Sequence, residues 1–108
     1  MAFKSQTTAG IGDSGTASTV TPTVAAGTTA TLIGLSFANT TASNVTVSAK
    51  LNKDGGDSAF IVKDATVLPG GALAVVGGDQ KVVLEEGDTI TAYSDTASEV
   101  DAIVSYLV

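Results

Sequence analysis

The sequence predicts an all-β protein: a single-domain antiparallel β-sandwich, jelly-roll-like, of about eight strands with an extended N-terminal arm. Three observations predict it. Apolar residues alternate with polar ones at a period of two, turn signals interrupt the alternation at short intervals, and no window carries the 3.6-residue period of an amphipathic helix. The 108 residues suffice for one domain and not for two.

Residues 1–19 are rich in Ser, Thr, Gly and Ala and show no sustained period. Such a segment has little apolar surface with which to order itself. It is expected as an arm (residues 1–19) held by a neighbouring subunit, with a disordered tail as the alternative, outside a sandwich domain of residues 20–108. From Val20 onward strand follows strand: Val20–Ala25, Thr31–Asn39, Asn44–Asn52, Ala59–Lys63, Leu73–Val76, Lys81–Leu84, Thr89–Ser94 and Val100–Leu107. In the second, Ile33, Leu35 and Phe37 are expected to share the buried face. In the third, Val45, Val47, Ala49 and Leu51 alternate with Thr46, Ser48 and Lys50. Ile33, Leu35, Phe37, Val45, Val47, Leu51 and Ile90 are therefore the expected core. Between the strands lie Ala26-Gly27, Asp54-Gly55-Gly56-Asp57, Pro69-Gly70-Gly71, Gly77-Gly78-Asp79 and Glu85-Glu86-Gly87-Asp88, residue types that favour turns. Phe60-Ile61-Val62 and Ile103–Val108 are apolar on both faces, as in a central strand or a subunit interface.

Composition narrows the function classes. Hydrophobic residues make up 44% of the chain, but about a third of them are alanine, and aromatics are only 5%. Each buried side chain therefore removes little area from water, so the isolated chain is expected to gain stability from neighbours. Charged residues are 15%, against about 25% in an ordinary soluble domain. With a mean hydropathy of +0.35, this points to surface that faces a partner. A net charge of −6, five scattered lysines and no arginine argue against nucleic-acid binding. No apolar run approaches the ~20 residues of a membrane-spanning helix. The opening Met-Ala-Phe-Lys-Ser-Gln has no apolar signal-peptide core, so no secretory route is expected.

Catalytic designs are thinned by missing residue types. Without His or Cys there is no Ser-His-Asp triad, thiol nucleophile or ordinary zinc site, and a non-enzymatic role is expected. The adjacent Glu85 and Glu86 sit in a turn and read as solvent-facing. No metal or cofactor is expected; Asp54, Asp57 and Asp79 are weak calcium candidates, since calcium takes six to eight oxygens. Their spacing is not that of an EF-hand loop, and a plain hairpin turn accounts for it better. Asn39-Thr40-Thr41 and Asn44-Val45-Thr46 match the glycosylation pattern and are taken as coincidence.

The order of several segments resembles a family. Val24–Thr40, with its Ala-Gly-Thr turn and its strand ending in an Asn-Thr loop, is followed by Ser43-Asn44-Val45-Thr46-Val47-Ser48. Then come Val67-Leu68-Pro69-Gly70-Gly71-Ala72-Leu73 and Leu84-Glu85-Glu86-Gly87-Asp88-Thr89-Ile90. Over residues 20–108 this pattern is similar to small virion structural proteins of tailed bacteriophages. The resemblance implies a β-sandwich oligomer, with a trimer favoured, carried on the phage particle. Its leading form is a capsid decoration or cement protein that clamps major capsid subunits; tail, neck, baseplate and fibre-attachment proteins are the alternative. It brings no catalytic residues. Phe3 as an arm anchor, and Tyr106 and Leu107 at a subunit contact, are the expected interface residues. The Leu84–Ile90 turn also resembles cupin barrels, but their metal-binding histidines are missing. A carbohydrate-binding module is a further reading, with Tyr93 and Tyr106 as the aromatic platform.

Overall fold

The computed structural model describes residues 2–108. They form β1 (Phe3–Thr8), β2 (Ser18–Thr19), β3 (Ala30–Asn39), β4 (Val45–Asn52), β5 (Ser58–Val67), β6 (Ala72–Val76), β7 (Val82–Leu84), β8 (Thr89–Ser94) and β9 (Val100–Leu107). Every pairing is antiparallel, and the pairs are nested: β4 with β5, β3 with β6 and β7, β2 with β8, β1 with β9. A long ribbon paired in this way rolls into two sheets, here β1-β9-β3-β6 (sheet I) and β2-β8-β4-β5 (sheet II). That order is the jelly-roll connection. One position of sheet I is divided: β7 pairs with Ala30–Leu32 and β6 with Leu35–Ala38, end to end along one side of β3.

The core lies between the two sheets. Alternation supplies it: Val100, Ala102, Val104 and Tyr106 from β9, Ile90 and Ala92 from β8, Val45, Val47 and Ala49 from β4. In β3 the alternation changes phase. A bulge between Leu32 and Gly34 opposite β9 adds one residue, so Ala30 and Leu32 point inward before it and Leu35, Phe37 and Asn39 after it. Ile33, expected in the core, is the residue at the phase change and is only half-buried. Leu51 is likewise half-buried, packed against the core from its margin.

Residues 2–19 are not an arm; Met1, which the expected arm included, lies outside the described residues. Phe3–Thr8 pair with Leu107–Ala102 along the whole of β1, and Ser18–Thr19 pair with Ala92–Thr91. These are the first strands of the two sheets. The accessible surface, 5584 Å², matches the ~5,500 Å² of a compact monomer of this mass, which leaves no room for a segment standing away from the body. Conversely, Val20–Ala25 is not a strand. Its Val20, Thr21 and Val24 are buried, and Val20 donates its N–H to the Ile90 carbonyl, but Pro22 has no N–H to continue a ladder.

Two buried polar devices hold the loops. Asn39, at the inner end of β3, donates through Nδ2 to the carbonyls of Ser43 (2.7 Å) and Val67 (3.0 Å) and accepts from the Thr41 N–H (2.9 Å) and hydroxyl (2.8 Å). It stitches the 40–44 loop to the end of β5. Gly12 joins the β1–β2 segment to β8: its N–H donates to Ser18 Oγ and its carbonyl accepts from the Ser94 N–H. A Cβ on Gly12 would sit 1.9 Å from the Thr16 carbonyl oxygen, backbone that cannot swing aside. Gly12→Ala is therefore expected to cost about 1–3 kcal/mol, read as a lower urea midpoint with an unchanged slope.

Candidate functional site

Cross-strand partners share a face, so the register fixes what the outside of sheet I presents. One row is Phe3, Leu107, Thr31 and Val83; another is Thr7, Ile103, Ser36 and Ala74; between them lie Ser5, Ser105 and Gly34. Phe3 is 76% exposed, Val83 51% and Ile103 49%. Among the paired, described positions the row beyond Ile103 carries a charge, Asp101, whose Oδ1 accepts the Gly10 N–H at 2.8 Å. Small, charge-poor and partly apolar, this face differs from the outside of sheet II. There Lys50, Asn52, Thr89 and Thr91 surround Phe60, whose ring lies 5.1 Å from the Lys50 ammonium and 5.4 Å from that of Lys63. Phe60 is thus covered by cations, whereas Phe3, Val83 and Ile103 are not.

Of the expected interface residues, Phe3 and Leu107 are direct cross-strand partners on the outer face of sheet I. Tyr106 is not with them. It is 8% exposed and points into the core, because β9 sends Val100, Ala102, Val104 and Tyr106 inward and its odd-numbered neighbours Ile103, Ser105 and Leu107 outward from Ala102 onward. β9 is a central strand between β1 and β3, which accounts for apolar residues on both of its faces. Phe60-Ile61-Val62 instead belong to an edge strand, β5, with Ile61 and Val62 packed on the core margin.

The calcium candidates do not form a cluster. Among the described residues no three acidic side chains converge in a way that could hold a metal ion. Asp57 is exposed in the β4–β5 turn and Asp79 in the β6–β7 turn. Asp54 is placed by Asp88, which in sequence is one residue of a turn. The Asp88 side chain is 2% exposed and accepts from the backbone N–H of Asp54 (3.0 Å), the backbone N–H of Glu85 (2.9 Å) and the Lys53 ammonium. These donors, led by Lys53, hold its carboxyl down to about 2. Lys53, bonded to Asp88 and Glu85, is pushed above its ordinary value in turn. Gly87, at φ 81°, lets the Asp54 carboxylate approach to within 2.5 Å of where a Cβ would stand. The arrangement ties two loops together and leaves the carboxylate no free approach. Glu85 and Glu86 are exposed, as expected.

A polar depression of about 520 Å³ lies where the β1–β2 segment meets sheet II, lined by Asp13, Thr46, Lys63, Asp64, Tyr93 and Asp95 among others. Its carboxylates serve their own loops. Asp13 accepts from the Gly15 N–H and the Thr16 hydroxyl, Asp95 from the Thr46 N–H, and Asp64 from Lys63, which lowers its carboxyl and raises the lysine. Asp64 stands at φ 51° in a bulge whose extra residue is fixed by the buried Ser48, with the Asp64 N–H donating to Ser48 Oγ at 2.9 Å. Tyr93 lines this depression; Tyr106, the second aromatic of the carbohydrate reading, is in the core on the other side of the sandwich. No protein-family model matches the chain, and neither a curated protein nor a solved structure shows significant similarity to it.

Proposed function

We propose that this protein is a non-enzymatic structural component of a bacteriophage particle, and within that class a capsid decoration protein that binds across neighbouring major capsid subunits. The observation that carries this reading is the charge-poor outer face of sheet I, with Phe3, Leu107, Val83 and Ile103, on a chain of net charge −6. An acidic protein that keeps most of one sheet face free of charge has a surface suited to docking, since charged residues are depleted at interface centres. The jelly roll adds support by analogy only: virus capsid proteins, lectins and cupins share it. The sequence resemblance supplies the virion. On the particle, the charge-poor face packs on the capsid and the acidic loops 53–57 and 85–88 face water. The carbohydrate reading is weaker, having one aromatic left to serve it.

Two experiments test this. Immunogold labelling of purified particles is expected to place gold over the head. Gold confined to tail, neck or baseplate would transfer the protein to that part of the virion, and its absence from particles by mass spectrometry would end the virion reading. Second, V83E together with I103E puts two carboxylates on the outer face. Binding to capsids lacking this protein is expected to fall at least tenfold, which corresponds to about 1.4 kcal/mol. The melting temperature should move by only a few degrees, because both side chains are half exposed already. Undiminished capsid binding by the double variant would rule this face out as the docking surface.

A further inference from the structure

The two sheets have four edges, and three are blunted. β2 is two residues long. β5 carries two register shifts against β4, which twist and interrupt its ladder. The β6–β7 edge is divided into two short pieces by the turn between them. β1 has none of these defences: six residues in unbroken register, no proline, no bulge and one charge.

The hydrogen bonding shows which groups this edge offers. Ala2 and Val108 exchange both backbone bonds, Ala2 N–H to Val108 O at 2.7 Å and Val108 N–H to Ala2 O at 3.0 Å. In an antiparallel ladder such pairs alternate, so Ala2, Lys4, Gln6 and Thr8 turn their backbone groups toward β9. Phe3, Ser5 and Thr7 turn theirs to the open side: three N–H and three C=O groups in a row.

We infer that this edge pairs with the same edge of a second copy across a two-fold axis at Ser5, joining two sheets I into one continuous sheet. In that register Ser5 meets Ser5 of the second copy, and Phe3 meets its Thr7. All six outward groups of each chain are then bonded, giving six hydrogen bonds between copies. Even-numbered sums of the paired positions keep the two outer faces on one side and the two cores on the other. Lys4 falls opposite Gln6, so no like charges meet. Electrostatics favours this approach too. β1 carries none of the eleven acidic residues, and β9 carries only Asp101, engaged by Gly10. Two chains of charge −6 therefore repel least here. Phe3 of one copy then lies over Thr7 of the other, in the row that continues to Ile103, so two exposed apolar side chains gain cover. A seam of six residues is at the low end of specific interfaces, below ~1,200 Å², which gives a reversible pair held at about micromolar affinity. Where the family resemblance implies a trimer, this edge specifies a pair, and the inference does not depend on the particle reading.

Light scattering after size exclusion tests it. At ~100 μM, well above the affinity expected for so small a seam, the chain should run at twice its 10.6 kDa mass and dissociate on dilution. S5P removes one outward N–H while sparing the β1–β9 ladder, a place where an edge strand tolerates proline. It should run at the mass of one chain throughout. Should S5P fail to fold, S5C against F3C decides, in a chain with no native cysteine. Hydrogen-bonded partners lie ~5.5 Å apart at Cα, within disulfide range, so S5C should cross-link on mild oxidation. Phe3 and its own copy stand four residues out of register, ~14 Å apart, so F3C should not. A single-chain mass for the unmodified protein, any multiple other than two, a pair that survives S5P, or equal cross-linking of the two cysteine variants would overturn the seam.

Discussion

Phe37→Ala is expected to lower the unfolding free energy by about 3–5 kcal/mol, a loss comparable to the whole stability of a marginal domain of this size. Phe37 is fully buried and is the largest such side chain in the protein. It stands toward the end of β3, with Leu73 of β6 on one side and Ala102 of β9 on the other. The core around it is mostly valine and alanine on rigid strands. Small side chains that are already packed cannot swing into the space a phenyl ring leaves, so most of the cavity term persists. The urea midpoint should move down by roughly 1–3 M at an unchanged slope. Phe60→Ala provides the contrast. Phe60 is 43% exposed between two lysines, and its loss should cost under about 1 kcal/mol. Equal costs for the two phenylalanines would mean that the core is not organised around β3.

What could be read from the chain follows from what hydrophobic periodicity reports. β4, β8 and β9 each have one face in the core and one outside, so burial writes their alternation directly into the sequence; β8 and β9 were delimited to the residue. Ile33 shares a period-two face with Leu35 and Phe37 in sequence, but a bulge changes the phase of β3 there, and the one local sign of it is Gly34. Phe3–Thr8 was invisible for a different reason. An edge strand at the rim of a sandwich buries little on either face, so Phe-Lys-Ser-Gln-Thr-Thr carries no period although its backbone is fully paired on one side. That pairing spans almost the whole chain, and nothing local encodes it. Counting by twos from Val100 sends Tyr106 inward, where it is buried. At the candidate surface, the adjacency of Phe3 and Leu107 needed the strand order, because their pairing joins the two ends of the chain. Asp88 has no distinguishing sign in sequence, since an Asp after Glu-Glu-Gly is ordinary turn composition. Its burial and its three donors come from two loops that only the fold brings together.

Asp88 also controls the acid limb of stability. Its carboxyl falls from an ordinary value near 3.9 in the unfolded chain to about 2 in the folded one. The folded state therefore binds the proton less well than the unfolded state. The contribution is present in full above pH ~4, shrinks as the pH falls through the window from ~4 to ~2, and is absent below it. Asp64, lowered by Lys63, acts with the same sign, but both partners are exposed and the effect is small. Asp88→Asn keeps the shape and removes the charge. One amide oxygen cannot serve donors that now reach both carboxylate oxygens, and its NH2 must face either the Glu85 N–H and Lys53 or the Asp54 N–H. The melting temperature at pH 7 should fall on the order of 10 °C. The wild-type advantage should then close between pH ~4 and ~2, the variant curve being flatter there. At the alkaline end the sign reverses: Lys53, raised above 10.5 by Asp88 and Glu85, contributes below that value and loses its contribution as the pH climbs through the raised one. Asn at position 88 should weaken that limb as well, since its largest cause is gone. A difference between wild type and Asp88→Asn that stays constant from pH 7 to pH 2 would show that the carboxylate acts through packing alone, and that its charge does not hold loops 53–57 and 85–88 together.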